Sequence, residues 1–267
     1  MDGEPVADEA AEATDEEIAQ VRAWIGEANR IVVLTGAGIS TESGIPDYRG
    51  PQGVWTRNPG AERMATLEHY MSDPETRRQS WRSRLGHPAW SAEPNAGHLA
   101  LVALERQGRL DTLITQNVDG LHHIAGSDPA LVVEVHGNMR EVVCMSCDER
   151  APMERALDRV RAGEDDPSCR SCGGILKSAT ISFGQNLVAD DLRRAAEAAR
   201  RCDLLLAVGS TLAVYPVAEV VPLAGANGAR VVIVNGSATV MDPVADIVLR
   251  GPIGDILPRL VPSEGLG

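Results

Sequence analysis

Short apolar runs at 31–34, 112–115, 131–135, 204–208, 231–234 and 247–249 show no polar alternation. Such runs predict strands buried on both faces. Between them, 98–107, 189–201 and 216–227 read as helices. A further helix is predicted to start at Thr14, whose hydroxyl caps it, with Glu17 three residues on completing a capping box. Ile18, Val21, Trp24 and Ile25 then form an apolar face at helical spacing. Strands alternating with helices imply the α/β class, a Rossmann-like parallel sheet with helices on both faces. Ligands of such sheets sit outside the carboxyl ends of the strands. Three polar clusters follow strands directly: Gly36-Ala-Gly-Ile-Ser40, Gln116-Asn-Val-Asp119 and Gly209-Ser-Thr211, and His136 follows a fourth. Their convergence marks a candidate site.

Two regions break the alternation. Residues 50–90, rich in Arg, Pro and Trp, read as loops and short helices, and 140–178 carries paired cysteines around a charged segment at 148–168. Together they are expected to form a smaller zinc-binding domain beside a larger one made of 14–49, 91–139 and 179–262.

Charge changes the picture only at the start of the chain. Residues 1–17 hold eight acids and no base, so removing them from the net charge of −13 leaves −5. Residues 1–13 are therefore expected to be a solvated, disordered acidic tail. No basic stripe is visible, which disfavours direct nucleic-acid binding. No apolar run approaches the length of about 18 residues that a membrane span needs. The acidic start is unlike a signal peptide, so the chain is read as cytoplasmic.

Four of the five cysteines form Cys144-x-x-Cys147 and Cys169-x-x-Cys172, while Cys202 stands alone as a small buried residue. Four thiolates at this spacing suit one tetrahedral zinc ion, and with every position filled by protein the metal is structural. His122 and His123 also offer metal-ligand chemistry, but four cysteines leave them no vacancy. Gly36-x-Gly38 at a strand end lets backbone approach a pyrophosphate, or simply makes a tight turn. Thr41 replaces the third glycine of the dehydrogenase fingerprint, and no strand ending in an acid follows about 20 residues on. Instead comes Gly44-Ile-Pro-Asp-Tyr-Arg-Gly50, a rigid turn loaded with functional side chains. Asn117 and Asp119 offer an amide and a carboxylate to ribose hydroxyls, or alternatively an Asx turn capping the next helix. His136 suits proton transfer at neutral pH.

In sequence order, these motifs together with Phe183-Gly184 and Gly209-Ser-Thr-Leu-Ala-Val-Tyr-Pro216 resemble the sirtuin family from about Ile31 to Leu260. The resemblance implies an NAD-dependent protein-lysine deacylase, an enzyme with His136 as base and Asn117 beside it in the reaction. It implies that Gly36, Ala37, Gly38, Ser40, Asp47, Tyr48 and Arg49 form the NAD loop. Gln116, Asn117 and Asp119 then face the nicotinamide ribose. Gly209, Ser210 and Thr211 line the cofactor, with Asn235 and Ser237 near the adenosine half. Phe183, Gly184 and Val214 flank an acyl-lysine peptide, which adds as a strand between the domains. Some positions depart from the family pattern: Tyr48 for Phe, Gln185 for Glu, Gly-Ser-Thr for Gly-Thr-Ser, and Lys177-Ser178 for Arg-Pro. None removes a catalytic group.

Acetyl and similar simple acyl groups are the expected cargo. Members that remove succinyl or malonyl resemble this chain at Ala65 and Arg84 but carry Tyr where Trp81 stands. Arg84 can pair with an acyl carboxylate and the Trp81 indole can donate in place of the phenol; alternatively Trp81 is core and Arg84 lies on the surface. Two other functions stay open: a protein ADP-ribosyltransferase, and a non-enzymatic zinc module that binds partners. Intact Asp47, Asn117 and His136 favour the deacylase.

Overall fold

The computed structural model describes residues 12–50, 53–58 and 60–261. Most of the expected acidic tail, 1–11, lies outside the described residues. The chain then attaches firmly, because the Ala13 N–H donates to Arg250 O at 2.9 Å. The capping box forms as expected: Thr14 N–H donates to Glu17 Oε2 at 2.8 Å, and Glu17 N–H donates to Thr14 Oγ1 at 3.2 Å.

Nine strands are present among the described residues: β1 (Ile31–Thr35), β2 (Leu110–Thr115), β3 (Val132–Glu134), β4 (Gly137–Cys144), β5 (Arg150–Pro152), β6 (Leu176–Thr180), β7 (Leu204–Val208), β8 (Arg230–Val234) and β9 (Ile247–Leu249). Six form one parallel sheet in the order β3-β2-β1-β7-β8-β9. The chain leaves β1 toward one edge and returns at β7 to build the other, so the topological switch point lies between β1 and β7.

Alternation along these strands supplies two cores. Ile31 and Val33 of β1 face helices Asp15–Glu27, Ala96–Arg106 and Ile253–Leu260 in one cluster. Val32 and Leu34 face helices Ala189–Arg201 and Val220–Ala226 in the other. With both faces covered, no position on β1 is left polar for solvent.

β4, β5 and β6 form a separate antiparallel sheet in the order β5-β4-β6. The charged segment at 148–168 contains a helix, Met153–Arg161, which buries Met153, Ala156, Leu157 and Val160. These pack with Val142, Cys144, Cys169 and Leu176, and with Trp81 from helix Pro74–Leu85. Segments far apart in sequence thus share one small core. Arg77 Nε donates to Asp166 Oδ2 at 2.8 Å and ties the helix to the loop before Cys169. β4 starts directly after His136, and β6 ends three residues before Phe183, so both strands run from this module to the mouth of the large sheet.

Candidate active site

A cavity of about 1870 Å³ opens along the carboxyl ends of the parallel strands and extends to the small module. The loops after β1 and β7 cross at its floor. A Cβ on Gly36 would lie 2.7 Å from Gly209 O, and one on Gly209 (φ +64°) would lie 2.4 Å from Ile39 N. These glycines therefore permit the crossing of two loops. A 3₁₀ helix, Ala37–Ser43, follows β1.

Loop 116–119 is held from several sides. Asn117 is buried, and its Nδ2 donates to Gly36 O at 3.1 Å and to Ser40 Oγ at 3.3 Å. Ser40 Oγ donates to Asp119 Oδ2 at 2.8 Å, while Asp119 Oδ1 accepts the Leu121 N–H at 2.8 Å. Asp119 therefore makes the Asx-type cap and still lines the cavity. Gln116 Nε2 donates to Ser210 Oγ at 2.9 Å, joining this loop to the one after β7.

His136 is half-buried on the cavity wall, with Nδ1 3.0 Å from Gln116 O. A carbonyl only accepts, so Nδ1 carries the proton and Nε2 keeps its lone pair. Burial pushes the His136 pKa below its ordinary value, against a smaller upward pull from the Gln116 carbonyl. The ring is thus a neutral base at pH 7. Gly137 follows with φ +73°, and a Cβ there would lie 2.1 Å from Ala179 O. Only glycine lets β6 pass this close behind the histidine.

Beneath the loops lies a buried histidine pair that the sequence reading did not identify as one. Thr35 Oγ1 donates to Thr115 Oγ1 at 2.9 Å and lies 2.9 Å from His122 Nε2. The His122 and His98 rings are 5.0 Å apart. Burial holds His98 to about 4 and His122 to about 3, so both are neutral supports.

The residues anticipated for the cofactor meet on this one surface. Gly36, Ala37, Gly38 and Ser40 line it with Asp47, Tyr48 and Arg49. Gln116, Asn117 and Asp119, then Gly209, Ser210 and Thr211, and finally Asn235 and Ser237 complete it. Asp47 Oδ1 accepts the Gly50 N–H at 2.9 Å, shaping the loop. Of the anticipated substrate residues, Phe183, Gly184, Val214, Ala65 and Arg84 line the cavity, and Trp81 does not. Phe183 is bridged to the helical segment, its N–H donating to Ala65 O at 2.9 Å. Among the described residues, the backbone N–H groups of Gly184 and Val214 have no acceptor.

Trp81 takes the core position that was one of its two expected readings: its side chain is fully buried in the small module, where its Nε1–H has no acceptor among the described residues. Arg84 is no surface residue; it lines the cavity with Lys177. Trp55, His87 and Lys177 are further lining residues with no signature in the local sequence. Trp55 sits between Tyr48 and Phe183, with ring centroids 4.7 and 5.6 Å away.

The four paired cysteines form a separate site. Sγ of Cys144 lies 3.5 Å from that of Cys172, Cys147 lies 3.8 Å from Cys169, and all four sulfurs are within 4.8 Å of one another. A tetrahedral zinc with Zn–S bonds of about 2.3 Å needs sulfurs about 3.8 Å apart. The cluster fits one structural zinc ion, and none of its cysteines lines the cavity.

A model of the Sir2 family matches residues 36–216. The chain belongs to the Sir2 family. The NAD-dependent protein deacetylase 2 of Streptomyces coelicolor is 50% identical over 237 residues, covering 89% of this chain and 98% of the relative. The NAD-dependent protein deacetylase of Rhodopseudomonas palustris is 39% identical, covering 90% of this chain and 94% of the relative. Among solved structures, Sir2 with a p53 peptide and NAD+ has TM-score 0.83 at 33% identity, covering 94% of this chain and 99% of the other. A Sir2 variant with a deacetylated p53 peptide and 3′-O-acetyl ADP ribose has TM-score 0.85, with the same identity and coverage. Among the described residues, no helix is long and apolar enough to cross a membrane.

Proposed function

We propose that this Sir2-family chain is an NAD-dependent protein-lysine deacylase, converting acyl-lysine, NAD and one water to free lysine, nicotinamide and O-acyl-ADP-ribose. The observation that carries the reading is His136: a neutral imidazole on the cavity wall, its Nδ1 proton fixed on Gln116 O and its Nε2 lone pair available. When bound, NAD supplies an electrophilic ribose carbon as nicotinamide departs. Gly36 to Ser40, with Asp47, Tyr48 and Arg49, hold its phosphate side; Gln116, Asn117 and Asp119 orient the nicotinamide ribose. Gly209, Ser210 and Thr211 line its length, and Asn235 and Ser237 receive the adenosine half. Nε2 of His136 takes the proton of a ribose hydroxyl, and the Gln116 carbonyl stabilises the imidazolium that forms.

The peptide binds as an extended strand between Gly184 and Val214. Their unpaired N–H groups support this, because strand addition supplies main-chain hydrogen bonds and leaves sequence selection loose. Enclosing the acyl-lysine beside Phe183 and Ala65 excludes water from the reacting carbon. The partners are acyl-lysine proteins, and the compartment is the cytoplasm.

Simple acyl groups, acetyl first, are the leading cargo. A second reading, acidic acyl groups, is favoured by Arg84: its buried Nε has no acceptor among the described residues. Mass spectrometry of acetyl-lysine and succinyl-lysine peptides, incubated with and without NAD, tests both. NAD-dependent loss of acetyl with O-acetyl-ADP-ribose is expected. Loss of succinyl in preference to acetyl selects the second reading. Transfer of ADP-ribose to protein, with no acyl loss, overturns both.

A further inference from the structure

The end of the cavity formed by the small module carries the Arg84 guanidinium beside Lys177, whose pKa burial pushes down to about 7, and the Asp119 carboxylate acts on His87 and Tyr48. No carboxylate is among the charges acting on Arg84. Tyr48, Tyr70, His87 and Lys177 all lie within electrostatic reach of the Arg84 guanidinium. Two of these neighbours are already engaged. Tyr70 Oη donates to Leu176 O at 2.7 Å, and Lys177 Nζ donates to the carbonyls of Ser178 and Thr180.

His87 is different. It follows helix Pro74–Leu85, three residues after Arg84, and caps the short 3₁₀ turn Pro88–Trp90. The Ala89 N–H donates to its Nδ1 at 3.2 Å. Nδ1 therefore holds a lone pair, and the proton of the neutral ring sits on Nε2. Among the described residues that Nε2–H has no acceptor. The backbone has fixed a hydrogen-bond donor on the wall that also carries Arg84.

We propose that His87 is a specificity-determining residue for acidic acyl-lysines, its Nε2–H donating to one oxygen of the acyl carboxylate while Arg84 takes the other. The proposal rests on the acidic-acyl reading above. A carboxylate offers two acceptor oxygens, and one guanidinium at the end of a flexible side chain fixes neither chain length nor direction. A second donor anchored by the backbone does. With Trp81 packed into the core, His87 takes the part that one of the two expected readings gave to the indole.

The test is the ratio of kcat/KM for a succinyl-lysine peptide to that for the matching acetyl-lysine peptide. It is measured in the wild-type chain, His87→Asn, His87→Gln and Arg84→Met. Both rates come from one preparation, so the ratio does not depend on the fraction folded. In His87→Asn the side-chain amide can still accept the Ala89 N–H but is too short to reach the carboxylate. The ratio is expected to fall roughly 10- to 100-fold in His87→Asn, chiefly through a higher KM for the succinyl peptide, and to recover in part with the longer amide of His87→Gln. An unchanged ratio in His87→Asn beside a collapsed ratio in Arg84→Met overturns the role of His87 and leaves the acidic-acyl reading standing. No NAD-dependent loss of succinyl from the wild-type chain overturns both.

Discussion

In the large sheet, β1 buries Ile31 and Val33 against one helical layer and Val32 and Leu34 against another. The small module has one cluster of nine buried residues, two of them the zinc-site cysteines Cys144 and Cys169. Both regions shape the same cavity, yet they are stabilised by different means. The sheet supplies loops whose positions follow from the packing of a large apolar core. The module supplies β4 and β6, which frame His136 and Phe183, and a helix carrying Arg84, all on a core too small to hold them unaided. A metal and a few ion pairs make up that deficit. Cofactor-side geometry should therefore be robust, and acyl-side geometry conditional on zinc.

Removing the metal should break this comparison most sharply. Structural zinc contributes on the order of 10 kcal/mol to a small module. Chelation, or Cys144→Ser, should abolish amide protection in β4, β6 and helix Pro74–Leu85 while β1, β2, β7 and β8 stay protected, as read by hydrogen exchange. Simultaneous loss of protection in both regions would show that they are one cooperative unit.

Replacing the base should sharpen the contrast between chemistry and fold. His136→Ala should lower kcat/KM by roughly 10²- to 10⁴-fold with an unmoved thermal transition. The neutral ring is the active form, and burial lowers its pKa. Activity of the wild-type chain should therefore be lost as pH falls through a value below the ordinary histidine pKa of about 6.5. An acid limb centred above that value would contradict the assignment.

The smallest effect concerns the tie between helix and zinc loop. Asp166→Asn weakens the bond to Arg77, whose guanidinium also donates to Tyr70 O and Met71 O. A loss of about 1.5–3 kcal/mol is expected, confined to the module. Equal loosening of β7 amides would argue against the separation.

How much was legible in the sequence differed between the regions for the same reason. Strands covered on both faces show as unbroken apolar runs, so the parallel strands were readable, with β2 beginning two residues earlier than expected. The module's helix Met153–Arg161 puts its four buried residues among charges, and it passed for a polar segment. Trp81 follows the core reading and Arg84 lines the cavity, a split that the sequence could not resolve because both lie on one short helix. Helical period fixes which residues share a face, not which neighbour that face meets. His87 and Lys177 carry no motif, and a lone residue joins a site only through contacts distant in sequence.

The sequence by itself determined the parallel sheet, the capping box at Thr14, the cysteine tetrad and the loops at the strand ends. Those features are written in spacing over a few residues or in repeated local chemistry. Only the tertiary structure decided that Gly36 and Gly209 cross, that Trp81 is core, and that the Ala89 N–H sets the His87 tautomer. Each of these rests on the packing of a particular side chain or backbone atom at a few ångströms, a distance that periodicity and composition do not encode.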